Sequence, residues 1–312
     1  MNLWLALRQS IPLGIRNGFG PLGIRSICGF RRLPVFRNRK LRRGLFLYHP
    51  LFRKIMEKEN HIITDFDLEL IADFFRNLPR QGPGSDAQTL RAMSFLPTTD
   101  DPIRIADVGC GSGAQTAVLA SHLNGTIQAI DLLPEMLEEL DRRLLRDGLR
   151  GKVTPVQAPM EALPFTEEQF DVIWAEGSIY NVGFERGLGL WRPFLKPGGT
   201  IAVTDCCFLT AERLDNDFMR ENFPDIGTVS EKIAAMERAG YAPEAHFVLP
   251  ENCWTENYYI PMQAHIPTFE RRHGHSDAAR RFTERLRREI GHYARYKALY
   301  GYVFFLGRKT NG

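Results

Sequence analysis

The stretch Ile103-Arg-Ile-Ala-Asp-Val-Gly-Cys-Gly-Ser-Gly-Ala114 decides the fold. A short apolar run ends in an acidic residue and a glycine-rich turn, and a helical pattern follows from Gln115. That is a strand, a tight turn and a helix N-terminus. Gly109, Gly111 and Gly113 let the backbone turn sharply and let a ligand approach it without Cβ atoms in the way. The amides of the following helix then point at whatever the turn holds. The competing reading is a purely structural turn. A second run, Thr126-Ile-Gln-Ala-Ile130, ends at Asp131, 22 residues after Gly109. An acid at the end of a second strand is placed to accept hydrogen bonds from ribose hydroxyls, so turn and acid together predict a nucleoside-containing ligand.

Gly109-x-Gly111-x-x-Ala114 also satisfies the loose dinucleotide fingerprint, so the glycines alone leave NAD open. Asp107, two residues before the first glycine, would repel a pyrophosphate and attract an ammonium group. A Leu163-Pro-Phe165 turn precedes the apolar run Phe170–Trp174, and Lys196-Pro-Gly-Gly199 leads into Thr200–Asp205. In motif, spacing and order, residues 103–205 resemble the class I S-adenosylmethionine-dependent methyltransferases. They look most like the small-molecule branch related to the quinone-biosynthesis enzymes. Glu176–Glu185 and Leu249–Thr255 are similar to a bacterial subgroup of that branch.

The resemblance implies a doubly wound, seven-stranded, mostly parallel α/β sheet of Rossmann-like type, with an N-terminal helical cover and a helical C-terminal insertion. It implies S-adenosylmethionine as cofactor. On that basis Asp107 and the backbone of Gly109, Cys110, Gly111 and Gly113 are expected to hold the methionine end, Asp131 the ribose, and Leu132 the adenine face. The family usually has an Asp before the Leu-Pro-Phe turn to read the adenine amino group. Here that place is Pro159, flanked by Ala158 and Met160. Adenine would then be read by the Met160 backbone and by apolar contact.

The strand and helix pattern agrees. Strands are expected near 103–108, 126–130, 152–156, 170–175 and 200–205, and helices near 114–123, 133–147, 185–194 and 229–239. Such alternation predicts a parallel sheet with right-handed crossovers. A last pair, near 244–249 and 301–307, would complete it, the final strand running antiparallel by resemblance. The expected organisation is a methyltransferase domain over 56–312, with its core in 103–249 and 300–308 and a helical lobe at 254–297. The charge-rich run Arg280–Glu289 in that lobe reads as a solvated helix face. Ahead of the core, 65–78 has helical periodicity, with apolar residues at 66, 70, 71, 74 and 75. Ser85 is a candidate N-cap for a helix reaching about Phe95. The intervening Arg80-Gln81-Gly-Pro-Gly84 is read either as a hinge or cofactor-contacting loop, with Gln81 its candidate contact, or as a plain interhelical turn.

Charge is unevenly spread. Residues 1–55 hold 12 Lys or Arg and no Asp or Glu, leaving 28 basic against all 37 acidic residues, a net of −9, on the remainder. An acidic body argues against a nucleic-acid backbone as its main partner and suits a small acceptor. The basic extension reads as a targeting segment, as an arm for an anionic surface, or as residues ahead of a true start at Met56; the abrupt change of composition at Met56 favours the last. A rival reading is an RNA methyltransferase that uses this basic arm. The five cysteines are scattered and odd in number, which suggests a reducing, cytoplasmic setting. No apolar run reaches the roughly 18 residues of a membrane span. No His, Cys or carboxylate set has metal-ligand spacing. A monomer or homodimer is expected.

The acceptor is expected beyond the fourth strand, at Glu176-Gly-Ser-Ile-Tyr180-Asn181. This is not the Asn/Asp-Pro-Pro-aromatic motif of amino-methyltransferases. Glu176 is a candidate general base or cation anchor, or else a structural carboxylate. Tyr180 either touches the methyl and sulfonium region or packs in the core. Cys110 is a reactive thiol or a small buried residue. Trp254, Tyr258 and Tyr259 are candidates for an aromatic lid, and His265 and His292 for bases, against packing roles for each. The expected chemistry is methyl transfer to an N, O, S or C nucleophile of a small molecule. The rivals are a non-catalytic S-adenosylmethionine sensor and an NAD-dependent oxidoreductase.

Overall fold

The computed structural model describes residues 65–311, so the basic extension and its three readings lie outside the described residues. Two helices come first, α1 (Asp65–Phe75) and α2 (Asp86–Met93). Then follow β1 (Ile103–Val108), α3 (Ala114–His122), β2 (Gly125–Asp131), α4 (Pro134–Arg146), β3 (Val153–Gln157), β4 (Phe170–Ala175) and α5 (Phe184–Trp191). The chain continues through β5 (Leu195–Phe208), α6 (Asp217–Asn222), the two-residue β6 (Gly227–Thr228), α7 (Val229–Arg238) and β7 (Tyr241–Val248). It ends with α8 (Ile260–Arg272), α9 (Asp277–Tyr296) and β8 (Tyr300–Lys309).

The strands join in the order β3-β2-β1-β4-β5-β8-β7, with β6 beside β5. Pairs from β3 to β5 are parallel, and β8 runs antiparallel to both β5 and β7. This is the doubly wound α/β sheet that the alternating pattern predicts, with a short eighth strand added. Side chains alternate across it as a period of two requires. Ile105, Ile127, Val172 and Trp174 enter one core, while Ala106, Val108, Ile130 and Ile173 enter the other. The first core is covered by α1, α4, α8 and α9, and the second by α5 and α7.

Local chemistry explains the helices that position the site. Met136, Leu140 and Leu144 recur every four residues and bury one face of α4, whose first residue is Pro134. Ser85 caps α2, its Oγ accepting from the Gln88 amide at 3.3 Å. On α9 the arginines at 280, 281, 285, 287 and 288 are exposed, as a solvated face demands. Glu289, in the same run, is instead 7% exposed and accepts from Tyr259 Oη at 3.3 Å. Order reverses between β1 and β4, where the strands on either side lead away in opposite directions. Crevices at such a reversal are where open α/β sheets bind ligands.

Candidate functional site

The turn after β1 closes onto the end of β2. The amides of Gly109 and Cys110 both donate to the Ile130 carbonyl, at 2.8 and 2.9 Å. Gly109, Gly111 and Gly113 have φ of 77°, 54° and 81°, a region other residues enter only with strain. A Cβ on Gly111 would lie 2.5 Å from Gln81 Oε1, and one on Gly109 would collide with Ser178. The glycines are therefore required by close approach as well as by φ.

Asp131 sits at the lip of this turn. Its Oδ2 accepts from the Gly111 amide and its Oδ1 from the Leu133 amide, both at 3.0 Å. Burial pushes its carboxyl up to about 6, against the lowering effect of those amides. Asp131 opens onto a cleft of about 620 Å³. The cleft is lined by Gln81, Gly109, Gly111, Ile130, Asp131, Leu132, Met136, Ala158, Met160, Gly177, Ser178, Tyr180 and Asn181. A second cavity of about 370 Å³ adjoins it and shares Tyr180 and Asn181.

Gln81 ties the N-terminal cover to the turn. Its Oε1 accepts from the Ser112 amide and hydroxyl at 2.9 and 3.0 Å, while its Nε2 donates to the carbonyls of Phe75 and Leu78. Arg143 on α4 supports the same loop by donating to the Pro79 carbonyl at 3.0 Å.

Several residues expected to face a ligand lie elsewhere. Asp107 is fully buried beneath the turn and does not line the cleft. Its oxygens accept from Thr116 Oγ1 at 2.6 Å and Gln115 Nε2 at 3.3 Å, fixing the start of α3. Burial raises its carboxyl to about 7. Cys110 is 1% exposed, and burial pushes its thiol up, which suits packing rather than reactivity. Gly113 faces Leu140 on α4. Met160 does line the cleft, and its carbonyl accepts from Trp191 Nε1 at 2.9 Å, which fixes the backbone there.

Glu176 departs furthest from a base. It lines neither cavity. Its Oε1 accepts from Thr89 Oγ1 at 2.8 Å and Trp174 Nε1 at 2.9 Å, and its Oε2 pairs with Arg80 Nη1 at 3.6 Å. Burial raises its carboxyl, opposed first by Arg80. Its partners on α2 and the 80–85 loop make it a clamp on the cover. Tyr180, by contrast, lines both cavities. Trp254, Tyr258 and Tyr259 are 2%, 1% and 3% exposed and pack among Tyr293, Tyr300 and Tyr302 in the core, not over the cleft. His292 is stacked on Phe218, bonded to Asn216 and Tyr300, and lowered to about 4 by burial. His265 packs on Phe74. Neither histidine lines a cavity.

Comparison with known proteins matches this geometry to a family. A family profile described as "Methyltransferase domain" fits residues 105–199, the span from β1 into β5 that carries the turn, Asp131 and Tyr180. Residues 105–199 are thus similar to a methyltransferase domain. A sterol 24-C-methyltransferase of Neurospora crassa is 24% identical over 176 residues, 53% of this chain and 46% of that protein. A ubiquinone/menaquinone biosynthesis C-methyltransferase of Geotalea daltonii is 27% identical over 154 residues, 47% of this chain and 64% of that protein. The matched part therefore spans about half the length of these relatives. A methyltransferase structure from Geobacter sulfurreducens, in complex with S-adenosylhomocysteine, superposes with a TM-score of 0.66 at 18% identity, over 77% of this chain and 97% of that one.

Within residues 105–199, Ser178 was not singled out in the sequence. Its Oγ donates to the Val108 carbonyl at 2.6 Å, holding the β4 loop against the glycine turn. The signal was Gly109, which must lack a Cβ because Ser178 is there. Among the described residues no group of three His, Cys, Asp or Glu is suited to a metal ion, and no helix is long and apolar enough to cross a membrane.

Proposed function

We propose that the protein transfers a methyl group from S-adenosylmethionine to a small-molecule acceptor. The observation that carries this reading is the cleft at the β1/β4 reversal, with Asp131 at its lip and bare glycine backbone as its floor. Asp131 would accept from the ribose hydroxyls while its other lone pairs stay on the Gly111 and Leu133 amides. Leu132, Met136, Ala158 and Met160 offer apolar surface for the adenine. The backbone at Gly109 and Gly111 admits the methionine portion. Asp107 acts from below, by holding the turn.

The same contacts weigh against NAD. A pyrophosphate needs free amides at the helix N-terminus. Here the Gly111 amide is given to Asp131 and the Ser112 amide to Gln81. A further carboxyl group, Asp107, lies beneath the turn besides.

When bound, S-adenosylmethionine supplies a methyl group already activated by its sulfonium. What the chain must add is alignment, which is worth roughly 7–11 kcal/mol when two reactants are well held. Among the described residues lining the cleft, Asp131 is the one carboxylate, and none is a histidine. The reading therefore relies on positioning by Ser178, Tyr180 and Asn181 rather than on a strong base.

Calorimetric titration of the full chain with S-adenosylmethionine, S-adenosylhomocysteine and NADH tests this reading. Micromolar affinity for the first two and none for NADH is expected. Binding of NADH alone would overturn it.

A further inference from the structure

The helical lobe before β8 carries a charge pattern that the cleft leaves unused. Residues 260–297 hold nine Lys or Arg against four Asp or Glu, while the rest of residues 65–312 hold 18 against 31. We propose that the outer face of α9 docks on an anionic lipid membrane; this goes beyond the methyl-transfer reading and does not rest on it.

One row of side chains carries the proposal. Arg281, Arg285, Arg288 and Arg295 follow one another in steps of four, three and seven residues, which sets them along one side of the helix. At 1.5 Å per residue the row is about 21 Å long. All four are exposed, and none has an ion-pair partner among the described residues. Other arginines of the helix differ, since Arg280 pairs with Asp277 at 2.8 Å and Arg287 with Glu270 at 3.0 Å. Arg295 rests over the Tyr296 ring, 5.2 Å from its centroid. Glu284 is exposed on the same helix and joins no ion pair among the described residues. On α6, whose Phe218 stacks on His292 of α9, Asp215 and Asp217 are both engaged by Arg220. Like charges three and four residues apart repel, and an anion from outside relieves that repulsion.

The shape of the face selects among anions. Ala279, Phe282, Leu286, Glu289 and Tyr293 are buried along the length of α9, so only its outer side is free. A flat layer of anionic headgroups meets that side alone. A nucleic-acid groove would enclose the helix and bring phosphates against the acidic remainder of the molecule.

The chain entering the lobe points the same way. α1, which follows the basic extension in sequence, packs on α9 and α8. Phe74 and Phe75 meet Phe282 at 5.3 and 6.4 Å between ring centroids, and Asp73 pairs with Arg272 at 2.7 Å. The 12 basic residues of 1–55 are interleaved with Leu, Ile, Phe and Trp and with no acid, a composition suited to a lipid interface rather than to phosphates alone. The row itself lies wholly within α9 and is complete without them. Its last arginine is near the ligand end of the sheet, because α9 ends at Tyr296 and Tyr300 pairs with Phe208 at the carboxyl end of β5.

The test uses the full chain and vesicles of phosphatidylglycerol and phosphatidylcholine in a three-to-seven ratio, followed by co-sedimentation. Pure phosphatidylcholine vesicles and a short RNA duplex are run beside them. Binding to the anionic vesicles that weakens at high salt, with none to phosphatidylcholine, is expected. A basic residue at an anionic lipid surface is worth roughly fivefold in affinity. Replacing the row, by Arg281→Gln, Arg285→Gln, Arg288→Gln and Arg295→Gln together, should therefore weaken vesicle binding at least about 30-fold. The same loss of charge on other exposed arginines, by Arg142→Gln, Arg146→Gln, Arg213→Gln and Arg238→Gln together, should change it less than about threefold. Circular dichroism checks that both variants fold, and Arg285→Glu alone, expected to cost about tenfold, serves as the second variant. No binding to anionic vesicles would overturn the proposal. So would equal losses in the two fourfold variants, or a loss under threefold when the row is replaced. Tighter binding to the RNA duplex than to the vesicles, lost with the row, would overturn it in favour of nucleic acid.

Discussion

The carboxyl ends of β2 and β4 flank the same central strand, and each delivers an acid to the same end of the sheet. Asp131, after β2, is held only by main-chain amides from Gly111 and Leu133, and it opens onto the cleft. Glu176, after β4, is enclosed by Thr89, Trp174 and Arg80 and opens onto nothing. Amides fix a carboxylate without satisfying all its lone pairs, so Asp131 is placed and still able to accept. A buried cation and two further donors enclose Glu176 and turn it into a fastening. Position at a strand end therefore does not make an acid functional; what surrounds it does.

The strongest way to break this comparison is to remove the fastening. Glu176→Ala leaves the Trp174 Nε1 and Thr89 hydroxyl without their acceptor, and leaves Arg80 with Asp86, at 2.9 Å, as its ion-pair partner. A buried donor left unpaired typically costs about 1–3 kcal/mol. A loss of that size should appear in urea denaturation. A loss under about 1 kcal/mol would show that the cluster is not what holds the cover.

The next effect belongs to the turn. Gly111→Ala places a side chain at φ of 54° and 2.5 Å from Gln81 Oε1. Strain of that kind costs roughly 1–3 kcal/mol. It should weaken S-adenosylhomocysteine binding more than it lowers stability, because Gln81 can swing away while the cleft cannot stay clear.

The pH dependence sharpens the contrast between the acids. Burial pushes the Asp131 carboxyl up to about 6, and the ionised form is the stronger acceptor for the ligand's hydroxyls. Above about pH 7 affinity for S-adenosylhomocysteine should be flat. Below 6 the protonated form accumulates, and affinity should fall up to tenfold per pH unit. Asp131→Asn should flatten the profile at the low level, and a profile unchanged in that variant would assign the titration to another group.

The smallest effect is expected at Gln81. Gln81→Leu removes the acceptor for the Ser112 amide and hydroxyl, at a cost of about 1 kcal/mol. Faster protease cleavage between α1 and α2, with the sheet intact, would report the freed cover.

The difference between the two acids also explains what the sequence could reveal. The partners of Asp131 are 20 residues back and two residues on, inside one βαβ unit, so spacing alone placed it. The alternating sheet, the glycine turn and the helix after it were legible for the same reason. Two of the three partners of Glu176, Arg80 and Thr89, come from a helix and loop that precede the sheet altogether. Only Trp174 is a near neighbour in sequence, and nothing in its position says that it points at the acid. Asp107 was misplaced similarly, because the donors that bury it, Gln115 and Thr116, read as ordinary first-turn residues of α3. The aromatic residues at 254, 258 and 259 gave a lid-like pattern but pack against α9 and β8, some 40 residues later.

The most direct measurement is the affinity of S-adenosylhomocysteine for Asp131→Asn and Glu176→Gln, taken side by side by calorimetry with the folded state of each checked by circular dichroism. The account predicts a fall of roughly 10- to 100-fold for Asp131→Asn, the equivalent of one or two hydrogen bonds to a charged group, and a change under threefold for Glu176→Gln. Binding that survives in Asp131→Asn but is lost in folded Glu176→Gln would contradict it, and would make the enclosed acid the one that serves the ligand.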